Sequence, residues 1–521
     1  MLDRRVVLVG AVAASIGGVR ANADAPSDEA IHAILQERVG KDRESTGIVA
    51  VVGDGAGSRL FAYGRSGTAD NLPLDGDTVF EIGSITKVLT ALILADMDER
   101  GEVTMADPVA KYLPASVKVP DYQGTPITLL DLATYTSGLP DLPGNLALNP
   151  LDPHSWINPF ADYTVDRLYA FLSGYTLKYR PGTHYEYANL GFGLLGHALA
   201  RCAGKSYEAL MVERVCDPLG LRSTRITLTP DMRSRLAQGH NWRLQPTPLW
   251  DLAALAGAGA MRSTANDLTA FLEACLGRRQ TPLQPALGRL LETRRPTGIP
   301  GHEMGLGWFI SSNHDDEIAW KSGLTGGFNT FIGFSTNSHR GSIALSNAIN
   351  HDAVPLGLHL INPDFQLTGI PALFRPQIQQ EVLVAYAGTF AGSPAAGVTV
   401  RVAVRVRGSR LFLQFSDWTD EVEAFPETET RFLVRDFGAE ITFEKDAAGN
   451  ANSLVVHHEG GLTGAPRECN SAIGRRAQEH CRERPLPAHS RCRDHQEDFR
   501  STSMCECLGW VSAPCRRRMG L

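Results

Sequence analysis

Three short clusters place a hydroxyl or an acid–base group near a cation. The first is Ser84-Ile85-Thr86-Lys87, whose hydroxyl and amine at i and i+3 share one face of a helix. If Ser84 opens that helix, the dipole favours negative charge on its oxygen, and a desolvated lysine loses its proton and acts as base toward the hydroxyl. The blander reading is a capping serine beside a solvated lysine. The second cluster is Tyr187-Ala188-Asn189. A tyrosine between two cationic lysines has a lowered pKa and serves as general acid and base, while the Asn189 amide can orient a substrate carbonyl. A core tyrosine next to a helix-capping asparagine is equally compatible with those residues. The third is Lys321-Ser322-Gly323-Leu324, followed by Thr325-Gly326-Gly327-Phe328. A Lys-Ser-Gly at a strand edge offers a second positive charge and small residues that let a substrate pair with the backbone. Otherwise it is a Gly-rich hairpin with an exposed lysine.

Other chemistries find no support. The chain has no Gly-x-Ser-x-Gly elbow, no H-E-x-x-H pair and no phosphate-binding Gly loop followed by Lys-Ser/Thr. His457-His458-Glu459 falls on an expected strand, where neighbours face opposite sides and do not share a metal. No metal and no cofactor are expected. With Lys plus Arg at 50 against Asp plus Glu at 57, the formal charge is −7, so nucleic acid is not an expected partner.

Length and composition bound the rest. At 521 residues, with 43% hydrophobic and 21% charged, the chain is globular and long enough for two or three domains. Residues 28–39 read as an amphipathic helix, and residues 47–52 and 60–63 as a hairpin around Gly53-Asp54-Gly55-Ala56-Gly57. A short strand at 79–83 runs into a helix over residues 84–100, whose Val88, Leu89, Leu92, Ile93 and Met97 form a broad buried face before Gly101 ends it. Residues 102–310 alternate helical segments with Gly- and Pro-bearing loops, and strands return at 308–310, 329–334 and 341–346. Strands at both ends with helices between predict an α+β layout. Pro363, Pro371 and Pro376 mark a linker over 363–379. Beyond it, alternation at Val398, Val400, Val402, Val404 and Val406, with further short runs to residue 457, predicts a small antiparallel β-barrel over 380–468.

Both termini read differently from the body. Arg4-Arg5, the apolar run 6–19 and Ala21-Asn22-Ala23 form a cleavable export signal over residues 1–23, which predicts a periplasmic or secreted protein with no later membrane span. Of nine cysteines, six crowd residues 469–521, a stretch without periodicity that reads as a disordered or artefactual tail.

Taken together and in this order, the three clusters resemble the S-x-x-K, Y-x-N and K-[ST]-G motifs of the penicillin-recognising serine hydrolases. The tyrosine in the second motif points to class C β-lactamases and their DD-carboxypeptidase and esterase relatives. Thr78-Val79-Phe80-Glu81-Ile82-Gly83, Ile127 to Leu132 and Thr136-Ser137-Gly138-Leu139-Pro140 agree. The resemblance implies an antiparallel sheet flanked by helices with an all-helical subdomain over residues 24–362, followed by a lipocalin-like β-domain. It implies Ser84 as acylated nucleophile, Lys87 as its base partner and Tyr187 as proton shuttle. Lys321 would hold Tyr187 ionised and attract a substrate carboxylate. Asn189, Ser322, Gly323 and Leu324 would bind substrate, with the backbone N–H groups of Ser84 and Leu324 as oxyanion hole. The implied partner is a β-lactam or a peptidoglycan-type peptide. The motif departs from class C usage at Ser322 and at Leu324, which stand where Thr and Ser are commoner. Asn347 and Asn350 are further candidates for a carboxylate contact.

Overall fold

The computed structural model describes residues 25–41, 45–146, 157–241, 244–313, 316–349, 353–365, 367, 378–395, 398–416, 421–426, 428–434, 439–446, 451–458 and 461–466. The expected export signal, residues 147–156, most of the linker and the Cys-rich tail lie outside these residues.

Helix α1 (Asp28–Gln36) is capped by the Ser27 side chain and buries Ile31 and Leu35. The expected hairpin forms as β1 (Gly47–Asp54) and β2 (Gly57–Gly64), paired out to Asp54 opposite Gly57. Then β3 (Val79–Glu81) leads through a 3₁₀ turn at Gly83–Ile85 into α2 (Thr86–Glu99). The sequence places the helix start at Ser84. Tightening of this first turn, beginning at a Gly83 with φ of +47°, puts Ser84 on the turn instead. Helix α2 is buried on all sides from Thr86 to Met97, because it runs through the middle of the core between sheet and helical region. Short α3 (Leu129–Ala133), held by a Thr128/Asp131 capping box, and the long α4 (Asn189–Ala203) pack against each other.

Strand β4 (Arg262–Thr264) pairs with β3. The chain then adds β5 (Arg295–Pro296), β6 (His302–Met304), β7 (Phe309–Asn313), β8 (Asp316–Leu324), β9 (Asn329–Ser335) and β10 (Gly341–Ser346). Together with the first hairpin these give one antiparallel sheet in the order β2-β1-β10-β9-β8-β7-β6-β5. The amino-terminal hairpin thus pairs with the last strand, as the α+β expectation requires. Period-two alternation splits β1 between two cores: Val49 and Val51 face the helical region, while Ile48, Ala50 and Val52 face α1 and α5 (Ala353–Ile361).

A third core belongs to the carboxy-terminal domain. After α6 (Gln380–Tyr386), eight strands follow one another in order: β11 (Gly388–Ala395), β12 (Val398–Arg407), β13 (Arg410–Phe415), β14 (Val422–Pro426), β15 (Arg431–Val434), β16 (Ala439–Lys445), β17 (Ala451–His458) and β18 (Gly461–Pro466). The last strand returns beside the first, so the sheet rolls into the expected barrel. Its interior is filled by Leu383, Tyr386, Phe390, Leu413, Phe432 and Phe443, with the Tyr386 and Phe443 rings stacked 4.4 Å apart. No helix among the described residues is long and apolar enough to cross a membrane.

Candidate active site

Two glycines make the site possible. A Cβ on Gly83 would lie 2.8 Å from the Leu324 amide nitrogen, and one on Gly323 would lie 2.0 Å from the Ile82 oxygen. Only bare backbone permits that approach, so the turn carrying Ser84 presses against the end of β8. Thr330 on β9 ties the two segments by donating to the carbonyls of Ile82 (3.0 Å) and Gly323 (3.3 Å). Behind the turn, Arg262 on β4 pairs with Glu81 on β3 at 3.1 Å, both side chains almost wholly buried.

On this frame the sequence-predicted residues converge. Lys87, one turn along α2 from Ser84 and 0% exposed, donates from Nζ to Ser84 Oγ (2.8 Å), Asn189 Oδ1 (2.7 Å) and the Ala258 carbonyl (2.7 Å). A solvated lysine is therefore excluded. The Tyr187 hydroxyl donates to Ser84 Oγ at 2.9 Å, so the serine oxygen sits between amine and phenol. Asn189 is the first residue of α4, which aims its amide at Lys87.

Lys321, 1% exposed, lies 4.8 Å from the centroid of the Tyr187 ring, but its Nζ donates to the Tyr135 hydroxyl at 2.8 Å. The structure thus gives Lys321 a hydrogen bond to a second tyrosine, while it meets the expected proton shuttle over the face of its ring. Tyr135 stacks on Tyr187 at 4.7 Å and holds φ of +55°, a backbone conformation that a bulky side chain rarely adopts. Burial drives the lysines toward neutrality. It brings the Lys87 ammonium down to about 7, opposed by the negative charge of Asp141. Lys321 is held well below the usual lysine range by burial and then by the charge of Lys87, again opposed by Asp141. Burial also pushes the Tyr135 phenol well above its ordinary value.

The remaining predicted residues sit along β8. Alternation places Lys321 and Gly323 on the side of Ala319, toward the helices, and Ser322 and Leu324 on the side of Trp320. Strand β7 pairs with β8 only as far as Phe309 opposite Trp320, whereas β9 pairs through to Leu324 opposite Asn329. Residues 321–324 consequently present one edge that no described strand covers. Leu324 is 36% exposed there, and Trp250 lies against Gly326 just beyond. Trp250 also donates from Nε1 to the Ile157 carbonyl at 2.9 Å, which ties the chain at Ile157 to this side of the site.

Asn347 is not free for a carboxylate. It is buried, accepts from Thr46 at 2.8 Å and donates to the carbonyls of Arg65 and Ser66 at 3.2 Å each, where it ties strand ends together. Asn350 lies outside the described residues. Sequence reasoning missed Asp141, whose Oδ1 accepts from the Asn189 side chain (2.7 Å) and backbone (3.0 Å), as well as Tyr135 and the Ala258 carbonyl. The two side chains flank the Thr136–Pro140 run, and a polar and an aromatic residue next to a Ser-Gly turn were the available signal.

Comparison with known proteins follows the same outline. The sequence model of the Beta-lactamase family matches residues 31–355. The D-alanyl-D-alanine-carboxypeptidase/endopeptidase AmpH of Escherichia coli K12 is 31% identical over 315 residues, 58% of this chain and 79% of the relative. Penicillin-binding protein 4* of Bacillus subtilis is 24% identical over 455 residues, 82% of this chain and 96% of the relative. Among solved structures, a class C beta lactamase from Rhodobacter sphaeroides superposes with a TM-score of 0.55 at 25% identity, covering 64% of this chain and 98% of that one.

Proposed function

The chain belongs to the Beta-lactamase family and is a serine hydrolase, and on that premise we propose that it opens β-lactam rings through an acyl-enzyme on Ser84. The observation that carries this reading is the double contact at Ser84 Oγ, with Lys87 Nζ at 2.8 Å and the Tyr187 hydroxyl at 2.9 Å. A neutral Lys87 has two N–H groups and one lone pair. Asn189 Oδ1 and the Ala258 carbonyl can only accept, so they take the two N–H groups and leave the lone pair for the Ser84 proton. Burial that lowers Lys87 to about 7 makes that neutral form available near neutral pH. Tyr187 then returns a proton to the leaving nitrogen and helps activate the deacylating water. The Ser84 and Leu324 N–H groups stabilise the oxyanion, each worth about 3 kcal/mol by analogy with other hydrolases.

Hydrolysis of D-alanyl-D-alanine peptides is the second reading. It is favoured by the uncovered edge at 321–324, where an extended peptide can add as a strand, and by the AmpH relative. The Arg4-Arg5 signal supports action outside the cytoplasm, where both substrates are found. Turnover of a chromogenic cephalosporin by the purified protein decides between them. Many turnovers per enzyme, lost in Ser84→Ala, establish the β-lactamase. A single acylation burst without turnover transfers the assignment to the peptidase, and no acylation of Ser84 sinks the β-lactam reading and leaves an esterase of the same family.

A further inference from the structure

We infer that Asp141 is a positioning residue that fixes the orientation of the Asn189 amide and thereby reserves the Lys87 lone pair for Ser84. The inference deepens the reading of Ser84 and Lys87 as nucleophile and base, and rests on it. An asparagine amide can present either its oxygen or its NH₂ to Lys87, and the two have opposite consequences. With the oxygen inward, Asn189 accepts one amine N–H. With the NH₂ inward, it would compete for the lone pair and hold the amine away from the Ser84 proton. What selects between them must act on the outer end of the amide. There, Asp141 Oδ1 accepts from Asn189 Nδ2 at 2.7 Å and from the Asn189 backbone N–H at 3.0 Å. An ionised carboxylate only accepts, so the flipped amide would set oxygen against oxygen.

The carboxylate is itself positioned. The carbonyl of Asp141 accepts from the Leu190 N–H at 2.9 Å, which ties the loop after Pro140 to the first turn of α4. Three elements then act in series: the loop holds Asp141, Asp141 holds Asn189 on α4, and Asn189 holds Lys87 on α2. Asp141 acts by charge as well. The groups that face Lys87 are Ser84 from its own turn, Tyr187 from the entry to α4, Lys321 from β8 and Asp141 from the loop. Of these, Asp141 opposes the downward pull of burial on Lys87. Removing that charge lowers the pH at which Lys87 loses its proton, so the acid limb of activity moves to lower pH even as the rate falls.

The test uses the full chain and a p-nitrophenyl phosphonate, which phosphonylates an activated serine whatever the natural substrate. Ser84 Oγ bonds to phosphorus, p-nitrophenolate leaves and the serine proton passes to Lys87. Rates are measured from pH 5 to 9 for wild type, Asp141→Asn, Asn189→Ala and the double variant. The expected result for Asp141→Asn is a plateau rate lower by about ten- to a hundredfold, with the acid limb shifted down. In the Asn189→Ala background the same change has no amide left to orient, so it lowers the plateau by less than about twofold while still moving the limb. Additive losses with an unmoved limb overturn the proposal and reduce Asp141 to a structural role. Should Asp141→Asn melt well below wild type, Asp141→Ser carries the same comparison. A wild type that is never labelled at Ser84 overturns the nucleophile reading itself, a result distinct from either outcome for Asp141.

Discussion

The sheet-and-helix body and the carboxy-terminal barrel are both antiparallel and both well packed, yet they treat polar groups in opposite ways. The body buries Lys87, Lys321, Glu81 and Arg262 almost completely. The described core of the barrel is aliphatic and aromatic, and the one polar tip among its rings, the Tyr386 hydroxyl, is satisfied by the Glu429 carbonyl at 2.9 Å. Among the described residues of the barrel, the arginines Arg405 and Arg407, paired with Glu421, and Arg410, paired with Glu423, lie largely in solvent. Burying a charge is costly unless partners compensate, so a fold keeps one only where removing it would lose something else. In the body, four such groups gather around one turn, and Tyr135 adds a strained backbone at the same place. The contrast supports the proposal that the body is the seat of chemistry.

The sharpest way to break that contrast is at its centre. Ser84→Ala is expected to reduce turnover by about 10³-fold or more with little change in thermal stability. Lys87→Met is expected to approach the same loss, because the two residues act as a unit. In the wild type, kcat/KM should fall with acid below about pH 7, since Lys87 must shed its proton to act as base and burial sets that transition near 7. A pH profile that is flat from 5 to 9 would remove Lys87 from the base role.

Effects on stability should follow burial. Arg262→Met strands the Glu81 carboxylate, 3% exposed, without its cation, and is expected to destabilise the body by about 3–5 kcal/mol. Phe443→Ala opens a hole between the rings of Tyr386, Phe390 and Phe432 and is expected to cost about 3–5 kcal/mol. The two should differ in activity. Glu81 lies three residues before Ser84, so the arginine variant should also lose turnover, whereas the barrel variant should keep its kcat. Denaturant melts beside initial rates check both, and a barrel variant with impaired kcat would show that the site depends on the barrel.

Much of this is legible in the sequence alone. The three motif clusters carry side chains whose chemistry is local, and the alternating valines of β12 follow from a period of two that few other structures mimic. What escaped depends on contacts across long sequence separation. Nothing in the text around Asn347 shows that its amide is consumed by Thr46 and Ser66, some three hundred positions away. Tyr135 and Asp141 border a recognised run, but only the folded chain brings one to Lys321 and the other to Asn189. The helix at Ser84 opens as a 3₁₀ turn before the α-helix begins at Thr86, because the positive φ of Gly83 and the contact with Gly323 shape that turn, and neither is a propensity of Ser84.

The smallest expected effect tests the other side of the comparison. Glu421 pairs with Arg405 and Arg407, whose side chains are 52% and 63% exposed. With both guanidinium groups largely in water, the attraction acts through a high dielectric and is screened by salt within about 10 Å at 0.1 M. Losing the carboxylate strands no buried charge, because each arginine simply rehydrates. Glu421→Gln should therefore destabilise the protein by less than about 1 kcal/mol, and that difference should shrink in 1 M salt. If the loss instead matched that of Arg262→Met, the barrel surface would be holding a charge that the fold cannot release to solvent. The division between a body that confines charge and a barrel that displays it would then fail.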